Sequence, residues 1–213
     1  MDANFIIKCI DEVNHTIIIN EKEIESLDRA IGDGDHFINL KRGSIAIQSM
    51  KDELLTLNNS QIFQKIGMKI LSTVGGASGP LFATFFLEIS KTLKNNDNES
   101  HNFYEGFSQA VSAIKHRGKS DIGQKTMLDV LIPVAETFKS NIEDKVDRQK
   151  LLDAIDAEAH KGVLATKDLI PSKGRSAGLG ERAVGHIDPG AKSCQLMISS
   201  VCKILRAVEV KKL

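Results

Sequence analysis

The stretch "DRAIGDGDHFINLKRG", residues 28–43, sets Asp28, Asp33 and Asp35 around Gly32 and Gly34 just ahead of a helix-like pattern. Glycine accepts backbone angles that other residues resist, so the later carboxylates can fold back toward the first. Such crowding is unfavourable. Two unit charges about 4 Å apart repel by roughly 4 kcal/mol at an effective dielectric of about 20. A cluster of this kind persists through a raised pKa, through solvation or by binding a cation. Oxygen ligands suit Mg²⁺ or Ca²⁺, although the later ligands of an EF-hand loop are missing. Taken alone, the plainer account is an acidic turn in which Asp35 caps the next helix.

Two further stretches share this double character. In "STVGGASGPLFATFF", residues 72–86, Pro80 suits the first turn of a helix preceded by Ser78 and Gly79. A helix start presents free N–H groups and a positive dipole end, which favours phosphate, yet no GK[ST] follows to make a Walker A loop. A Ser-capped turn between helices would explain it equally well. In "KGRSAGLGERAVGHIDPGAKS", residues 173–193, five glycines accompany Arg175, Arg182 and an Asp-Pro-Gly turn. That connection is long for a helical domain, as binding loops and lids are, and its arginines could meet a polyphosphate or simply water. Together the three segments supply what Mg²⁺ and a nucleotide's phosphates require, because a metal ion bridges carboxylates that phosphates would repel.

The elements that must position them are helices. Apolar residues recur at steps of three and four: Ile6, Cys9, Ile10, Val13 and Ile17; Ile62, Phe63, Ile66, Ile70 and Val74; Phe82, Phe85, Phe86, Ile89 and Leu93; Phe103, Phe107, Val111 and Ile114. The pattern continues with Met127, Leu131, Val134 and Phe138, with Leu151, Leu152, Ile155 and Ala159, and with Cys194, Met197, Ile198, Val201, Leu205 and Val208. A helix over about 36–51 makes eight, and the spacing lets the first run on to a last turn at Asp28. Pro133 should kink the helix that contains it. Ile17, Ile18 and Ile19 form too short a run to argue for a strand. The sequence predicts an all-α fold in a single domain spanning 1–213, with a polar loop at 95–101.

Composition narrows the function. Lys plus Arg and Asp plus Glu number 28 each, so no basic surplus points to nucleic acid. Aromatics are 5% and Trp is absent, which disfavours a base-stacking platform. The three cysteines, Cys9, Cys194 and Cys202, form no CxxC and fit buried thiols in a reducing compartment. No signal peptide and no apolar run of roughly 20 residues is evident, so no membrane is expected and the cytoplasm is the expected location.

"LDRAIGDGDHFINLKRG", "TVGGASGPLFATFF", "RGKSDIGQKTMLDVLIPV" and "GRSAGLGERAVGHIDPGAKS" resemble, in order and spacing, the nucleotide-binding subunit of dihydroxyacetone kinase, DhaL, from about residue 20 to 205. The resemblance implies a barrel of eight antiparallel helices with ADP at one end. It implies two Mg²⁺ ions on Asp28, Asp33 and Asp35. It also implies nucleotide contacts from His36, Phe37, Ile38 and Asn39, phosphate contacts from Ala77 and Ser78, and a base pocket lined by Gly118 and Met127. Arg175, Asp188, Pro189 and Gly190 would complete the site. Several relatives carry a larger, often aromatic residue near Gly178, where this chain departs.

The family divides by the source of phosphate, and a chain of 213 residues resembles the separate, phosphotransferase-linked subunit rather than the fused ATP-dependent kinase. The implied cycle has a partner's phosphohistidine rephosphorylate bound ADP; the ATP formed then phosphorylates dihydroxyacetone held on another subunit. In-line transfer of this kind needs no protein nucleophile, so neither His36 nor His186 is expected to carry phosphate. Family subunits also contact a transcriptional regulator, and related kinases act on other hydroxyketones, sugars or fatty acids. A nucleotide-sensing module, or a kinase subunit for another small substrate, therefore stands as the alternative.

Overall fold

The computed structural model describes residues 2–94 and 99–207. Ten α-helices carry the described chain: α1 (Ala3–Ile19), α2 (Glu21–Ile31), α3 (His36–Gln48), α4 (Lys51–Leu54), α5 (Asn59–Thr73), α6 (Ser78–Lys94), α7 (Glu99–Gly118), α8 (Leu128–Glu143), α9 (Arg148–Ala165) and α10 (Pro189–Ala207). Two 3-10 segments, Thr166–Asp168 and Arg175–Ala183, lie between α9 and α10, and no strand occurs among the described residues. The all-α reading is therefore the observed one. Of the expected polar loop at 95–101, residues 99–101 already belong to α7, while 95–98 lie outside the described residues, as does Val208 of the last apolar stripe.

The principal packing partners close on themselves. In order, α1, α3, α5, α6, α7, α8, α9 and α10 each pack on the next, and α10 returns to α1. At that seam Ser200 Oγ donates to Thr16 Oγ1 at 2.9 Å. The apolar stripes turn inward to one core that includes Ile17, Ile62, Ile66, Ile89, Ile114, Leu128 and Val134. Close approaches depend on small residues. At Gly67 on α5 a Cβ would sit 2.8 Å from Leu87 Cγ of α6, and Ser60 and Ser90 exchange hydroxyl-to-carbonyl hydrogen bonds across the same pair.

Two helix boundaries differ from the periodicity. The first helix does not reach Asp28: it ends at Asn20, whose N–H and Nδ2 both donate to the Thr16 carbonyl, and α2 starts afresh. An amide side chain that bonds the preceding turn competes with helix continuation, and apolar spacing does not register it. The third helix stops at Gln48 rather than near 51, with α4 following as one separate turn. Pro133 lies inside α8 without ending it. Its missing N–H leaves the Asp129 carbonyl without the usual donor, and α9 approaches there so closely that a Cβ at Gly162 would sit 2.5 Å from that oxygen.

Candidate functional site

The end of α2 and the start of α3 build the acidic turn. Asp28, in the last turn of α2, is only 3% exposed, and its Oδ2 accepts the N–H of His36 at 2.9 Å. One of the orphan donors at the start of α3 is thus satisfied from the preceding helix. Asp35 occupies the cap position of α3, yet its side chain makes no capping hydrogen bond. That separates the two accounts of the stretch: capping falls to Asp28, and Asp35 is left pointing elsewhere. One carboxylate oxygen from each of Asp28, Asp33 and Asp35 lies within 4.8 Å of the others, with Asp33 exposed and Asp35 half-buried. A donor set of three carboxylates so arranged fits a hard divalent cation.

Gly32 is required by this geometry. A Cβ there would lie 1.8 Å from Asp28 Oδ1, so any side chain would displace the buried carboxylate. Gly34, with φ +79°, makes the left-handed bend that returns the chain to Asp35.

The glycine turn between α5 and α6 abuts this triad. Gly76 adopts φ +68°, and a Cβ on it would lie 3.7 Å from Asp35 Oδ1 and 3.5 Å from Asn39 Nδ2. Asn39 is buried on α3, accepts from Arg42 Nη1 at 3.2 Å, and lies against Gly75. Gly79 is held as glycine by the Val74 carbonyl, which a Cβ would meet at 2.1 Å. Ala77 follows directly on Gly76 and Ser78 is the first residue of α6; a helix start carries free N–H groups of the kind that attract an anion.

The glycine loop reaches the triad from the other side. Arg175 Nε lies 2.7 Å from Asp33 Oδ2. Gly174 (φ +73°) and Gly180 (φ +55°) bend this loop, while Ser176 and Ala183 anchor it by burial. A Cβ at Gly178 would meet nothing within 4 Å, so the departure noted there leaves open space rather than a packing defect in this chain.

At the start of α10, Pro189 is the first helical residue and Asp188 caps it, accepting the Ala191 N–H at 2.7 Å. Burial pushes the Asp188 carboxyl up to about 7. Gly190 sits beside Met127, whose Cε would be 3.8 Å from a Cβ at that glycine. Gly118, ending α7, faces Leu81 of α6 in the same way at 3.6 Å.

His36 and Phe37 sit differently from Asn39. Phe37 is a core side chain, with Lys41 Nζ 5.6 Å from its ring centre, whereas Ile38 is exposed. His36 Nε2 lies 2.8 Å from Ser193 Oγ, and that hydroxyl gives its own proton to the Pro189 carbonyl at 2.8 Å. His36 Nε2 is therefore the donor, and the imidazole ties α3 to α10. Burial lowers its pKa, against an upward pull from Asp28. The tether's partner Ser193 went unread in the sequence, as did Lys125, Asp129 and Thr166. "GQKTMLD" contains two of these, but a lysine and an aspartate in a polar turn read as surface charges.

Residues 30–203 match the DAK2 domain family. The chain is 36% identical over 200 residues to the ADP-binding subunit DhaL of PEP-dependent dihydroxyacetone kinase 1 from Listeria innocua, covering 94% of this chain and 96% of that protein. It is 34% identical over 198 residues to the ADP-binding subunit DhaL of the PEP-dependent dihydroxyacetone kinase from Escherichia coli, covering 92% of each. Among solved structures, the dihydroxyacetone kinase from C. freundii, in complex with AMP-PNP and Mg²⁺, is similar with a TM-score of 0.73 and 23% identity. That match covers 92% of this chain and 33% of the other, and it concerns the fold alone.

Proposed function

The chain belongs to the DAK2 domain family, and on that premise we propose that it is the ADP-holding subunit of a phosphotransferase-dependent dihydroxyacetone kinase, an enzyme active only with its partner subunits. The observation that carries this reading is the meeting of the Asp28, Asp33 and Asp35 oxygens with the Gly76 turn that opens α6. Carboxylates beside a phosphate-attracting helix start are a liability without a cation between them and a site with one.

In this reading Asp28, Asp33 and Asp35 hold two Mg²⁺ ions, and Ala77 and Ser78 present backbone to the phosphates. Arg175 adds a charged donor. Asn39 fixes the glycine turn against α3, and His36, Phe37 and Ile38 form the adjoining helix start. Gly118, Met127, Asp188, Pro189 and Gly190 line the nucleoside side. When bound, Mg²⁺ supplies charge neutralisation between carboxylates and phosphate oxygens, and ADP supplies the phosphoryl acceptor. The chain's own contribution is positioning, with no side-chain nucleophile. The partners are a dihydroxyacetone-binding subunit and a phosphohistidine carrier, with a transcriptional regulator as a further contact. We place the protein in the cytoplasm as a single domain spanning 1–213; no helix among the described residues is long and apolar enough to cross a membrane.

The test is reconstitution. Purified protein should bind ADP with Mg²⁺, and adding a dihydroxyacetone-binding subunit and phosphorylated carrier should yield dihydroxyacetone phosphate. Absence of ADP affinity would overturn the reading. Binding without turnover in the complete mixture would point to a nucleotide sensor, and turnover of a different hydroxyketone would reassign the substrate.

A further inference from the structure

The largest fully buried side chain among the described residues is a lysine. Lys125 is 0% exposed and adopts φ +59°, a left-handed angle that non-glycine residues seldom take. Asp129 imposes the bend: its Oδ1 accepts the Gly123 N–H at 2.5 Å and its Oδ2 the Thr126 N–H at 2.7 Å. The clamped turn drives the lysine inward, where Nζ donates to the carbonyls of Thr166 and His186, the latter at 2.6 Å. Those acceptors belong to two other segments, the 3-10 turn after α9 and the returning arm of the glycine loop.

Further bonds knit the same three segments. Gly185 N–H donates to the Lys167 carbonyl at 2.8 Å, and Asp188 N–H donates to the buried Thr166 Oγ1 at 3.1 Å. The charges of Asp188, Asp129 and Asp168 favour the ammonium form of Lys125, although burial outweighs them and lowers its pKa. An apolar residue of equal volume would take the donor from the His186 carbonyl and leave the Thr166 carbonyl only the longer bond from the Leu169 N–H at 3.4 Å, which is costly away from water. Two residues beyond Lys125, Met127 neighbours Gly190 of α10: a Cβ on that glycine would lie 3.8 Å from Met127 Cε.

We propose that Lys125 is a positioning residue that locks the returning arm of the glycine loop onto the Met127 turn and thereby sets how tightly the nucleoside half of the nucleotide is held. This rests on the ADP-holding function proposed above. The phosphate half, built from the acidic triad, the Gly76 turn and Arg175, is assembled by other contacts and does not depend on Lys125.

The test compares the full-length protein with Lys125→Met, titrating each with Mg·ADP and with Mg·pyrophosphate by calorimetry. ADP affinity is expected to fall about tenfold or more, as for a lost hydrogen-bond pair to a charged donor, with pyrophosphate affinity changed less than about twofold. Equal ADP affinities, or equal losses for both ligands, would overturn the proposal. If wild-type protein binds pyrophosphate and ADP not at all, the functional reading itself fails. Should Lys125→Met not fold, Lys125→Gln, which keeps an amide donor, carries the same comparison with a smaller loss. Hydrogen exchange on the wild type needs no variant: Mg·ADP should slow the Gly185 and Asp188 amides and Mg·pyrophosphate should not. Exchange at those amides unaffected by ADP would also overturn it.

Discussion

Arg175 Nε lies 2.7 Å from Asp33 Oδ2, so the glycine loop is pinned to one of the three carboxylates proposed to hold metal. The pair is substantially exposed, and exposed pairs of this kind contribute about 0–1 kcal/mol. Its interest lies in competition: the cation and the guanidinium share one acceptor. Arg175→Gln should therefore bind Mg²⁺ up to about fivefold more tightly in the nucleotide-free protein, while ADP affinity falls about tenfold through loss of a charged phosphate donor. Calorimetric titrations with Mg²⁺ alone and then with ADP check both signs. Asp33→Asn should lose metal retention and phosphate transfer, yet melt within about 0.5 kcal/mol of the parent, as exposed substitutions usually do.

The two glycines Gly32 and Gly178 are expected to respond oppositely to the same change. Gly32→Ala places a methyl 1.8 Å from Asp28 Oδ1, so it should cost about 1–3 kcal/mol and abolish metal retention. Gly178→Ala adds a methyl that meets nothing within 4 Å and should shift stability by less than about 0.5 kcal/mol. Thermal melts with and without Mg²⁺ distinguish the two.

Asp188 gives stability a pH dependence of unusual sign for a carboxylate. Burial raises its folded pKa to about 7, above the ordinary aspartate value of 3.8, so between those values the native state binds more protons than the unfolded chain. Its contribution is therefore fully present below the unfolded pKa and is lost as pH rises toward about 7, by up to about 1.4 kcal/mol per unit of pH. Asp188→Asn, which can still cap α10, should flatten that decline. Denaturant melts of nucleotide-free protein at pH 5 and pH 8 measure it; an unchanged slope in the variant would count against the assignment.

No histidine of this chain should become phosphorylated during transfer. His36 is the one beside the acidic turn, and its Nε2 already donates to Ser193 Oγ within a buried contact. Incubation with phosphorylated carrier followed by a search for acid-labile phosphate on this chain checks the claim; a stoichiometric signal would refute it.

Local information carried much of this structure. Asp28, Gly32, Asp33, Gly34 and Asp35 lie within eight residues, so composition and spacing were enough to suggest both a turn and a cage. Helical periodicity is likewise local, and the stripes from Ile62 to Val74 and from Phe107 to Ile114 bury as their spacing requires. The break at Asn20 escaped because it is made by side-chain bonds to Thr16, while the apolar rhythm continues past it.

What only the tertiary structure decided are relations between distant segments. Whether Asp35 caps α3 depended on Asp28 taking that duty across the bend. The pairing of Arg175 with Asp33 joins residues more than a hundred positions apart, and Lys125 finds its acceptors 41 and 61 positions away. Hydrogen bonds and ion pairs act over a few ångströms in space, and one sequence carries no trace of which remote carbonyl will fall within that reach. A lysine that looks solvated in a polar turn becomes a fully buried charge once three loops converge on it.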